Sequence, residues 1–207
     1  MGSKMKLNDK TVIFLGSSVT YGSASSGVSF VDHLARIDGV TAVKEAVPGT
    51  TLVDDDPKSY ISRMKTIDPA IKADAFVCQL STNDATGKKH LGSLSEGFDP
   101  KDFDTHTVAG AIEYVTAYAR RTWDCPVLFY TNPRFDCAEY ERMTSLLYAA
   151  EKKWGFTVID LWNDEEINSI PDDLKALYMH DPIHPTASGY RDLWTPVFRK
   201  ALTELLT

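Results

Sequence analysis

Four short stretches of the chain carry side chains able to perform group transfer. Gly16-Ser17-Ser18-Val19-Thr20-Tyr21-Gly22 offers two adjacent hydroxyls, and Pro48-Gly49-Thr50-Thr51 offers a backbone free of bulk at Gly49. Ser81-Thr82-Asn83-Asp84 brings a primary amide, and His180-Asp181-Pro182-Ile183-His184-Pro185 brings a carboxylate and two imidazoles. A serine hydroxyl is a weak nucleophile until a neighbouring base takes its proton. Imidazole suits that task, with an unperturbed pKa of about 6.5. A carboxylate on the second ring nitrogen fixes the tautomer and stabilises the imidazolium. Backbone N–H groups and an amide NH2 hold a developing oxyanion, one such donor being worth roughly 3–4 kcal/mol in studied enzymes. These are the parts of a serine hydrolase.

Other motifs fail on inspection. Gly16 to Gly22 is not GxGxxG, and no Lys-Ser/Thr follows the second Gly, so neither a dinucleotide fingerprint nor a P-loop is present. Thr20 stands where a GxSxG elbow needs its second Gly, which argues against the α/β-hydrolase fold. His180 and His184 are spaced as metal ligands on a helix would be, but Pro182 and Pro185 oppose a helix there. Taken singly, each stretch has a plainer reading: Ser-Ser as turn or helix cap, Pro-Gly as turn, Asn-Asp as Asx-turn. Their order along one sheet rim favours the hydrolase.

That rim comes from the pattern of elements. Strands are expected at Thr11–Leu15, Thr41–Val47, Ala75–Leu80, Pro126–Tyr130 and Phe156–Asp160, as short apolar or β-branched runs. Helices are expected at Phe30–Ile37, Ser59–Ile67, Thr105–Thr122, Asp136–Trp154 and Ala187–Leu206, the last irregular near Pro196. Phe30, Val31, Leu34 and Ile37 form one apolar stripe. Strand and helix alternate without hairpin signals, so the fold class is α/β, an open parallel sheet with helices on both faces. In such sheets ligands sit outside the carboxyl ends of the strands. Ser81–Asp104 and Leu161–Pro185 lack a clear element, and loops of that length are usually functional.

Composition narrows the class. The 207 residues amount to one domain, 1–207, with residues 1–9 expected to be a flexible N-terminus. Lys plus Arg is 22 and Asp plus Glu is 29, a net charge of −7, with no basic cluster for nucleic acid. No apolar run is long enough to span a bilayer, and the first residues lack an apolar signal region, so a cytoplasmic protein is expected. Cys78, Cys125 and Cys137 form no CxxC and read as free thiols, a catalytic cysteine being the lesser alternative. His33, His90 and His106 read as solvated or structural; Trp123, Trp154, Trp162 and Trp194 read as packing residues. Asp54-Asp55-Asp56 reads as a solvated loop that could border the cleft.

Gly-x-Ser-aliphatic after the first strand, Gly after the second, xxAsn-Asp after the third and Asp-x-x-His near the C-terminus together resemble the SGNH (GDSL-type) hydrolases. The markers run from Gly16 to His184. The resemblance implies a three-layer α/β/α sandwich, flavodoxin-like, with a parallel five-stranded sheet in order 2-1-3-4-5. It implies Ser18 as nucleophile, His184 as base and Asp181 as its orienting carboxylate. It implies an oxyanion hole from the N–H groups of Ser18 and Gly49 and the amide of Asn83. The substrate is then a small ester, with no cofactor or metal required; acetyl and other short acyl groups, carbohydrate O-acetyl among them, are expected because no apolar stripe marks an acyl tunnel. Motif register favours Ser18 over Ser17. Two positions depart from the family pattern: Ser17 replaces an Asp and Ser81 a Gly. They motivate an alternative, a non-catalytic ligand-binding module on the same fold. Fold analogy alone offers a flavin or nucleotide binder. Oligomeric state is not specified by the sequence.

Overall fold

The computed structural model describes residues 7–207. Five parallel strands form one sheet in the order β2-β1-β3-β4-β5. They are β1 (Thr11–Gly16), β2 (Thr41–Ala46), β3 (Ala75–Gln79), β4 (Val127–Tyr130) and β5 (Thr157–Ile159). β1 lies between β2 and β3, pairing Val12 with Ala75 on one side and Thr11 with Thr41 on the other. Side chains alternate across each strand. Val12, Phe14, Ala75 and Val77 therefore enter one core, while Ile13, Leu15, Phe76 and Cys78 enter the other.

Nine helices are described. After β1 come α1 (Ser18–Tyr21) and α2 (Phe30–Asp38); after β2, α3 (Tyr60–Met64). After β3 come α4 (Thr82–Thr86) and α5 (Val108–Trp123); after β4, α6 (Ala138–Trp154). After β5 come α7 (Glu165–Asn168), α8 (Asp172–Tyr178) and α9 (Thr195–Leu206). α3, α5 and α6 supply one core and α2 and α9 the other. In the second, Phe30 stacks on Phe198 at 3.8 Å between ring centroids and meets Tyr130 edge-on at 5.5 Å. A capping box starts α2: Ser29 Oγ accepts from Val31 N, and Asp32 accepts from Ser29 N at 2.7 Å. Such caps stabilise a helix by about 1 kcal/mol.

The differences from expectation are local. Ile37 lies on the exposed side of α2, not on its buried stripe. The stretches without a clear element contain α4, α7, α8 and a 3-10 turn at Pro100–Asp102. These segments are too short to show helical periodicity. The irregularity of the last helix precedes Pro196: Gly189–Trp194 is a π-helical stretch that runs without a break into α9, and Pro196 falls in the first turn of α9. Of the N-terminal segment expected to be flexible, residues 1–6 lie outside the described residues, while Leu7 is buried in the α2/α9 core. Among the described residues no helix is long and apolar enough to cross a membrane.

Candidate active site

The ends of β1, β2 and β3 and the loop before the π stretch meet at the carboxyl edge of the sheet. Ser18, 8% exposed, opens α1 directly after the β1 turn. Its Oγ lies 2.8 Å from His184 Nε2, across 166 residues of sequence. His184 Nδ1 in turn lies 2.8 Å and 3.0 Å from the two carboxylate oxygens of Asp181. An ionised carboxylate only accepts, so Nδ1 carries the ring proton and Nε2 presents its lone pair to the Ser18 hydroxyl. Burial opposes ionisation of Asp181, but N–H bonds from Ile183 and His184 and the imidazole outweigh it and hold its carboxyl below the usual range.

The turn bearing these two residues is itself anchored. Asn132, buried after β4, donates from Nδ2 to Ile183 O at 2.9 Å. His180 N donates to His184 O at 2.8 Å, so the His-x-x-x-His segment is a tight turn and not a helix.

The donors gather opposite. The Ser18 N–H is the first of its helix, where no carbonyl one turn back is available. Among the described residues neither it nor the exposed Gly49 N–H donates to a protein acceptor. Gly49 adopts φ +79, a left-handed conformation that strains any side chain. Asn83, in the first turn of α4, spends one amide hydrogen on Thr50 O at 2.8 Å and keeps the other free. All five expected site residues, Ser18, Gly49, Asn83, Asp181 and His184, thus lie on the one sheet edge.

The two departures find local partners. Ser17 donates from its backbone N–H to the Gln79 side-chain carbonyl at 2.9 Å, which also accepts from Thr20 Oγ1 at 3.0 Å. Ser81 stands at φ −70 and caps α4, its Oγ accepting from Asp84 N at 3.3 Å. A hydroxyl there does what glycine cannot.

Sequence reading missed several supporting residues. Gln79 is the one amide in the apolar run AFVCQL, a signal that was present. Asp84 is fully buried and accepts from Leu52 N at 2.7 Å and Val53 N at 3.0 Å, pinning the loop after Gly49. Burial pushes its carboxyl above the usual range, partly offset by Ser81 and those N–H groups. Of the thiols, Cys78 and Cys125 are buried and Cys137 is half-buried. Trp123, Trp154 and Trp194 are core residues, and His33 is buried.

Cavities flank the serine–imidazole pair unequally. On the His184 side a cavity of about 360 Å3 is lined by Thr86, Phe135, Cys137 and Ile183. It adjoins, across Phe135, a second of about 540 Å3 that reaches the half-buried Trp162 and the exposed Asn163 and Glu141. On the Gly49 side a polar one of about 390 Å3 is bounded by Thr51, Asp55, Asp56, Lys58 and Lys89. Asp55 and Asp56 of the acidic loop thus share a cavity with Gly49, though neither Ser18 nor His184 lines it. An apolar cavity of about 470 Å3 lies behind Asp181, but neither Ser18 nor His184 lines it.

The comparisons with known proteins bear on the fold and the family. A solved structure of a protein from Lactobacillus plantarum is similar to the chain at 19% identity and TM-score 0.79, over 95% of this chain and 98% of that one. A family two carbohydrate esterase from Clostridium thermocellum, solved in complex with cellohexaose, is similar at 15% identity and TM-score 0.65, over 95% of this chain and 64% of that one. At such identities the likeness shows the fold. No curated protein matches the chain in sequence. The profile of the GDSL-like Lipase/Acylhydrolase family matches residues 14–191, a span that includes every residue of the site, and the chain belongs to that family.

Proposed function

We propose that the protein is a serine esterase, one SGNH-hydrolase-like domain that cleaves carboxylic esters of short acyl groups through an acyl-enzyme on Ser18. The observation that carries this is the Ser18 Oγ–His184 Nε2–Asp181 alignment, with the unspent N–H donors of Ser18, Gly49 and Asn83 on the same sheet edge. His184 Nε2 takes the Ser18 proton as Oγ attacks the ester carbonyl carbon. The carbonyl π pair moves onto oxygen, where the N–H groups of Ser18 and Gly49 and the free amide hydrogen of Asn83 meet it. Collapse expels the alkoxide, which takes the proton from His184. Water then repeats the sequence on the acyl group and frees Ser18.

The leaving oxygen must lie against His184 to receive that proton. The alcohol therefore occupies the cavity over Phe135, and the acyl group turns towards Thr51 and Lys89. Aromatic faces at Phe135 and Trp162 beside Asn163 and Glu141 suit a ring with apolar faces and hydroxyl edges, which favours a carbohydrate-like alcohol. The polar Gly49 side favours acetyl over long chains. An ester panel tests this: acetyl esters of sugars and of p-nitrophenol turn over faster than octanoyl esters. A preference for octanoate would overturn the acyl assignment.

A further inference from the structure

Arg63, in the last turn of α3, is a cation 8% exposed and in contact with neither the nucleophile nor the base. A guanidinium has five N–H donors, and all five are used. Nε donates to Lys58 O at 2.9 Å. Nη1 donates to Glu45 O at 3.2 Å and to Glu45 Oε1 at 2.9 Å. Nη2 donates to Gly16 O at 2.9 Å and to Thr50 Oγ1 at 3.0 Å.

The two Nη2 bonds bear on the chemistry. Gly16 begins the turn that presents Ser18, and Thr50 follows Gly49. Thr50 O is also the acceptor that orients the Asn83 amide. Among the described residues no other side chain hydrogen-bonds both the nucleophile turn and the Gly49 loop. The Glu45 carboxylate offsets the buried charge. The planar fork fixes the directions of its bonds as an ammonium cannot.

We propose that Arg63 is a positioning residue of the ester hydrolysis, setting the spacing between the Ser18 hydroxyl and the Gly49 and Asn83 donors; this rests on the serine-esterase reading above. Donors misplaced by a fraction of an ångström lose most of their hold on the oxyanion while the ground-state ester still binds. Arg63→Lys keeps the charge and loses the fork. Thr50→Val keeps Arg63 and removes its one bond to the loop, together with the bond from Thr50 Oγ1 to Val47 O at 2.7 Å, whereas Thr50→Ser keeps both and should stay near wild type.

The test is steady-state hydrolysis of p-nitrophenyl acetate, with inhibition by a trifluoromethyl ketone that adds to the serine as a tetrahedral oxyanion. Arg63→Lys lowers kcat about 100-fold, leaves KM within about twofold, and weakens the ketone by a factor close to the loss in kcat. Thr50→Val gives the same pattern at about tenfold, and it decides the matter if Arg63→Lys does not fold. Wild-type kcat in the folded variants, or a loss confined to KM, overturns the role of Arg63 while Ser18-dependent turnover leaves the esterase standing. Turnover undiminished in Ser18→Ala, or a wild-type protein that neither turns over nor binds the ketone, overturns the esterase and the positioning role together.

Discussion

The Asn83 side-chain amide donates to Thr50 O at 2.8 Å, and this bond leaves one amide hydrogen aimed away from the loop and unspent. An amide held by one hydrogen offers the other without reorganisation. Asn83→Ala should lower kcat about 100- to 1,000-fold with KM nearly unchanged, because the missing bond matters chiefly in the transition state. Initial-rate kinetics over a range of ester concentration separates the two constants. An unchanged kcat would remove Asn83 from the oxyanion hole.

Asp84 holds the same loop from beneath. Asp84→Asn replaces one accepting oxygen by a donor facing a backbone N–H, so a loss of about 1–3 kcal/mol is expected in urea unfolding. Burial raises the Asp84 carboxyl in the folded state. Its contribution to stability is then full below the unfolded value of about 3.9 and falls as the pH rises through the folded one.

Asp181 should behave in the opposite sense. Its carboxyl is held low in the folded state by the N–H groups and the imidazole, against a burial effect that raises it. Its contribution is present above the unfolded value of about 3.9 and is lost as the pH falls through the depressed one. The advantage of wild type over Asp181→Asn should therefore vanish in acid, and kcat of the variant should fall by roughly 10^3–10^4-fold through loss of the correct tautomer. A pH series of unfolding curves checks the first statement and ester hydrolysis the second.

Most of the fold was legible because β1, β3 and β4 are buried on both faces and read as continuous apolar runs. The helices α2, α5 and α6 are long enough to display periodicity. α4, α7 and α8 are not, and α8 has no buried residue, so no apolar stripe marks it. The five site residues were legible through four markers in order. Arg63, Gln79 and Asp84 were not read as supports, because their partners are carbonyls and N–H groups brought close only by the crossovers. A polar residue at the end of a buried strand, as at Gln79, is the sequence signal of such a support.

The thiols should separate by accessibility. Burial pushes the Cys125 thiol up to about 11 and raises that of Cys78 further. Both should resist Ellman's reagent in the folded protein, while the half-buried Cys137 reacts first. Three thiols should titrate in denaturant. Prompt reaction of all three in the native state would contradict the packing around β3.

The most direct test is covalent labelling of the intact protein by a fluorophosphonate, located by peptide mass spectrometry. A hydroxyl reacts only when a base and an oxyanion site stand beside it. The expected result is one adduct, on Ser18, lost in His184→Ala. Labelling of Ser17 instead, or no labelling of a folded and pure protein, would contradict the account and leave a groove that binds without turnover.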